Sequence, residues 1–115
     1  MPDRTFFAPG VPRTLPLPFT IAAAGDNAIV QVADRPIYVW KMLFVVAAAV
    51  TLSLKNGVGG ALLLPGIGYV ANGSLFLPYD SEPWFATDRG NAFVIALSGN
   101  VQVVGTLYYT TAALS

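Results

Sequence analysis

Three acids crowd one stretch of this sequence. Asp80, Glu82 and Asp88 fall close together and carry the hard oxygen ligands that a calcium ion takes. An EF-hand loop needs acids or amides at alternate positions and a late glutamate, and this spacing supplies neither pattern. Solvated loop carboxylates are the simpler reading. Gly57-Val58-Gly59-Gly60 looks loosely like a phosphate cradle, but a cradle needs a helix N-terminus after it, and none is expected here. A flexible hairpin connection accounts for those glycines. Lys41 lies in a strongly apolar stretch, where burial could make it a nucleophile. With no partner chemistry in view, it reads better as an outward charge that keeps a strand from sticking to another edge. The chain contains no histidine and no cysteine. That excludes a Ser-His-Asp or Cys-His arrangement, thiolate metal sites and disulfides. No catalytic residue, cofactor or metal is therefore assigned, and the expectation is a protein that is not an enzyme.

Aromatic residues offer a different chemistry, that of contact. Tyr79, Trp84 and Phe85 lie on a long stretch, 78–90, with the features of a loop. They could meet a sugar or a protein, or Trp84 and Phe85 could plug the end of a β-sandwich. Tyr108 and Tyr109 are adjacent in a strand and must point to opposite faces. One of the pair must face outward, as an interface anchor or a cross-strand partner, and Tyr109 is the expected anchor.

These residues are positioned by strands. Phe19–Ala23 reads as the first, a Gly25-Asp26-Asn27 turn follows, and Ala28–Ala33 is the second. Ile37–Val46 is long and rich in β-branched and aromatic residues. Val50–Leu54 alternates apolar Val50, Leu52 and Leu54 with Thr51 and Ser53, so one face is apolar. Asn56-Gly57 turns the chain, Ala61–Leu64 is broken by Pro65-Gly66, and Asn72-Gly73 is the strongest turn signal. Ser74–Leu77, Ala92–Leu97 and Val101–Thr110 complete the set. About eight evenly spaced strands with no helix predict an all-β, jelly-roll-like β-sandwich over residues 19–115.

Residues 1–18 have another character. Pro2, Pro9, Pro12, Pro16 and Pro18 forbid a helix and favour extended backbone. This proline-rich arm has no core of its own: it either becomes ordered by lying on something else, with the adjacent Phe6 and Phe7 as anchors, or is a disordered tail. Phe6, Phe7, Pro9 and Arg13 are its candidate contact residues, beside Tyr79, Trp84, Phe85 and Tyr109 on the sandwich.

Charge and hydropathy narrow the function. The chain is 55% hydrophobic, only 10% charged and has zero net charge. Average proteins carry about 25% charged residues, and a lone monomer this apolar and neutral tends to associate. The six basic residues are scattered, so no nucleic-acid footprint is visible. Met42–Leu54 is apolar but falls short of the roughly 20 residues that span a bilayer, so no membrane role is assigned. The N-terminus has no continuous apolar stretch of the signal-peptide kind.

The order of turns and strands carries a resemblance. Gly25-Asp26-Asn27 leads into Ala28-Ile29-Val30 and the strand Ile37–Val46. Thr51-Leu52-Ser53-Leu54-Lys55-Asn56-Gly57, Ala71-Asn72-Gly73 and Leu77-Pro78-Tyr79 come next. Trp84-Phe85-Ala86-Thr87, Gly90-Asn91-Ala92-Phe93 and Val103-Val104-Gly105-Thr106-Leu107-Tyr108-Tyr109 close the series. Over residues 24–110 this resembles small virion proteins of tailed bacteriophages. At Asn91 and Phe93 that family would have Glu and Leu. The resemblance implies a non-enzymatic virion structural protein, made in the host cytoplasm. It would decorate or cement the capsid, as a homotrimer bound to the major capsid protein. The alternative is a tail, fibre or baseplate module with host-glycan binding.

Overall fold

The computed structural model describes residues 14–111. They form nine strands: β1 Leu15–Ile21, β2 Gly25–Val30, β3 Tyr38–Val46, β4 Val50–Asn56, β5 Ala61–Tyr69, β6 Ser74–Leu77, β7 Phe85–Ala86, β8 Phe93–Leu97 and β9 Val103–Thr110. One antiparallel sheet has the order β1-β9-β3-β6, with the short β7 also paired to β3. The other has the order β2-β8-β4-β5. Setting β7 aside, this is the eight-strand, double-sheet jelly roll that the turn and strand pattern predicts. Among the described residues, no helix is long and apolar enough to cross a membrane.

The core lies between the sheets. Met42, Phe44 and Val46 of β3 meet Leu52 and Leu54 of β4, with Phe93, Ile95 and Leu97 of β8 and Val103 and Leu107 of β9. The alternation read in Val50–Leu54 puts its apolar set into this core. In β3 the alternation is interrupted. Val39 pairs with Tyr109 but Lys41 pairs with Tyr108, so Trp40 is an extra residue, a β-bulge. The bulge lets Val39 and Met42 both face inward and sets Lys41, Leu43 and Val45 on the outer side. Trp40 is buried, and its indole N–H donates to Thr110 Oγ1 at 3.0 Å.

Several elements differ from the sequence reading. β1 begins at Leu15, not Phe19, so Pro16 and Pro18 belong to the sandwich. An edge strand has only one neighbour and can hold prolines wherever its nitrogens face away from that neighbour. β5 runs without a break through Pro65-Gly66, because it too is an edge, and its register to β4 shifts twice. β2 starts at Gly25, where a turn was expected. Asn27 donates its side-chain amide to the Ala23 and Gly25 carbonyls, which closes that bend locally. The 78–90 segment contains β7.

Candidate functional site

The outer face of the β1-β9-β3-β6 sheet is one of the places where the apolar surplus of this sequence reaches solvent; Val58, Leu62, Ile67 and Val70, in and around β5, are another. The strand registers build it as rows. Thr20 lies beside Val104, Val104 beside Val45, and Val45 beside Ser74. The next row runs Pro18, Thr106, Leu43, Phe76, and the third runs Pro16, Tyr108, Lys41. Val45, Val104 and Phe76 are exposed by 45%, 49% and 59% of their surface. A groove of about 530 Å³ opens over the first two rows, lined by Pro18, Thr20, Leu43, Val45, Val104 and Thr106, with Phe19 and Gly105 at its floor. Lys41 is the sole charged side chain in these rows. A sheet face covered by nothing usually alternates to polar residues, so this composition makes the face a candidate contact surface.

One end of the face is fixed by aromatic residues. Lys41 Nζ lies 5.0 Å from the Tyr108 ring centroid, 5.5 Å from that of Tyr79 and 5.8 Å from that of Phe76. All three fall within cation–π range. Tyr79 follows β6 and packs against Tyr108, with centroids 6.1 Å apart. The Tyr79 hydroxyl is 2.6 Å from Thr14 Oγ1, tying the chain before β1 to the segment after β6. Lys41 has no carboxylate partner among the described residues. It stands outward as expected, on the third strand of the β1-β9-β3-β6 path, paired to Tyr108 of β9 on one side and, on the other, at the gap between β7, which pairs up to Val39, and β6, which pairs from Met42.

The other contact candidates separate. Phe85 packs against the core and lies 6.3 Å from Phe93, which is the plug role. Trp84 remains 40% exposed, with its indole N–H donating to the Pro78 carbonyl at 2.7 Å. Tyr109 packs against the core, so the outward member of the tyrosine pair is Tyr108. The bulge at Trp40 does not alter this, since β9 itself is regular. Phe6, Phe7, Pro9 and Arg13 lie outside the described residues. The sequence reading passed over Leu43, Val45, Phe76 and Val104. For Leu43 and Val45 the signal was the continuous apolar character of 42–46, which fits a strand buried on both sides as well as one with an exposed apolar face.

The polar candidates are occupied by the fold itself. Asp26 on β2 pairs with Lys55 of β4 at 2.9 Å, and its other oxygen accepts from the Gly59 N–H at 2.7 Å. The anion held by the glycine loop is thus this carboxylate. The Gly59 and Lys55 contacts hold the Asp26 carboxyl below its usual pKa. Asp88 accepts from the Asn56 amide at 3.1 Å, and Asp80 accepts from the Ser81 N–H at 2.7 Å. Among the described residues no three acids gather as a metal site. Thr87 is buried and joins the segments that lead into β3 and β8: its hydroxyl accepts from the Ile37 N–H at 2.9 Å and donates to the Asn91 carbonyl at 3.1 Å.

No family model and no curated protein matches this chain.

Proposed function

We propose that this chain is a non-enzymatic structural protein of a tailed-bacteriophage particle. It decorates or cements the capsid by binding the major capsid protein and further copies of itself, as a homotrimer on the capsid surface. The observation that supports the reading is the outer face of the β1-β9-β3-β6 sheet, where Val45 and Val104 stand half in solvent along a groove and Phe76, beside Leu43, is exposed too. Covering such a face removes apolar surface from water at about 25 cal/mol per Å². The jelly roll adds support by analogy, since viral capsid domains use it repeatedly. The test is immunogold electron microscopy of phage particles from cells in which the chain is made. The reading expects label over the heads, and unlabelled particles overturn it.

A second reading draws on Trp84, which is exposed and held in place by its bond to the Pro78 carbonyl. Lectin domains also use the jelly roll, and a fixed exposed indole can stack on a sugar. As a tail, fibre or baseplate module, the chain binds host glycan and labels tails. Loss of glycan binding in Trp84→Ala, with the fold kept, is the expected result. No binding across a broad glycan array counts against it.

A further inference from the structure

We infer that the outer face of the β1-β9-β3-β6 sheet is the seat for residues 3–7 of a second copy of this chain, laid parallel to β3 with Asp3 against Lys41 and Phe7 in the groove. This deepens the self-association part of the reading above and rests on it.

Three observations select that occupant. The first is charge. Lys41 is the lone charge in the rows of this face and has no carboxylate partner among the described residues. An occupant should bring one acid and otherwise apolar groups. Residues 1–13 carry one acid, Asp3, two bases, Arg4 and Arg13, and the adjacent Phe6 and Phe7; in an extended 3–7 segment Asp3, Thr5 and Phe7 share the side turned to this face and Arg4 takes the other.

The second is spacing. Lys41, Leu43 and Val45 share one side of β3, and Lys41 to Val45 is about 13 Å at the rise of a strand. Asp3, Thr5 and Phe7 share one side of an extended chain, and Asp3 to Phe7 is again about 13 Å. With Asp3 on Lys41, only the direction parallel to β3 brings Phe7 to Val45 and Val104. The reverse direction carries Phe7 off the Tyr38 end of the strand.

The third is where the chain enters. Thr14 is tied to Tyr79 beyond the Pro16 row, while Phe7 would lie level with Thr20. These levels are six residues apart along β1, about 20 Å. To serve its own face, the chain must reverse right after Phe7. A reversal uses at least two of residues 8–13, and the remaining four reach about 14 Å at most. The copy that supplies the segment is therefore another one. Running straight on from Phe7, seven residues reach up to about 25 Å, enough to meet a neighbour's Thr14. The contact is head-to-tail, the type that closes into rings. Addition to the free edge of β1 is disfavoured, because Pro16 and Pro18 have no N–H to offer.

The chain has no native cysteine, so introduced pairs report without background. Full-length Ala8→Cys and Thr20→Cys variants are mixed and treated with a short bismaleimide. The expected product is a cross-link between one copy of each. Asp3→Lys in the Ala8→Cys chain should cut its yield about two- to fivefold, the size of a surface ion pair. Lys41→Asp in the Thr20→Cys chain should then restore it. A chain bearing both cysteines that closes on itself as a monomer overturns the proposal, and so does the absence of any cross-link. Gold labelling of particles is scored separately. Cross-linked copies without label on particles keep this seat and remove the capsid role, whereas labelled heads without cross-links do the reverse.

Discussion

Val45 and Val104 face each other across β3 and β9, and nearly half of each side chain is in solvent at the rim of one groove. Their inward neighbours, Phe44 and Val103, are fully buried. One strand pair thus divides its apolar residues between a core and an uncovered face. The two faces should respond differently to substitution. Val45→Lys changes only the outer face. In the separated chain such surface changes usually stay within about 0.5 kcal/mol, so the variant should still melt cooperatively, with a Tm below the parent's only by what assembly adds to the parent, a gap that narrows as the parent is diluted.

Gly105 marks the opposite extreme. Any Cβ there would run into the Leu43 carbonyl oxygen and lie 2.7 Å from Phe44 Cβ and 2.9 Å from the Phe19 ring. The position is in the middle of the sheet, between β1 and β3, so neither neighbour can retreat. Gly105→Ala should cost about 3 kcal/mol, the upper part of the usual overpacking range, as measured by urea denaturation.

Asp26 gives the pH dependence its sign. Its carboxyl is held below the ordinary value by the Gly59 N–H and by Lys55. A depressed carboxylate stabilises the fold above its unfolded pKa, and this contribution is lost as pH falls through the folded one. Asp26→Asn should therefore melt lower than the parent near pH 7. The gap should close as pH falls below the ordinary carboxylate range and through the depressed folded pKa, where the parent carboxylate also protonates.

Thr87→Val keeps the shape and removes the hydroxyl. The Ile37 N–H then loses its acceptor in a buried place. The expected loss is about 1–3 kcal/mol, with faster hydrogen exchange at the Ile37 amide.

Much of the sandwich was legible because burial imposes a period of two. Val50, Leu52 and Leu54 show it, and they form the inner side of β4. Asn72-Gly73 was legible for a local reason: Asn72 has φ 66°, a conformation that asparagine tolerates, and the Gly73 N–H closes the turn on Val70. What a strand's neighbours decide was not legible. Pro16 and Pro18 read as part of an arm outside the sandwich and Pro65 as a break, yet each lies in an edge strand where a missing donor costs little. The bulge at Trp40 leaves no mark in composition, and it decides which of residues 38–46 face outward. Tyr109 was preferred to Tyr108 because adjacency fixes that the two faces differ, without fixing which is which. The outer face itself was masked by its own apolar character.

Light scattering on the full-length protein, with the parent weighed beside Val45→Lys, reads self-association through the outer face. The expected result is a parent mass of three times the 12.1 kDa chain and a folded variant at the mass of one chain. A parent at the mass of one chain, or a variant that assembles as the parent does, would contradict that association.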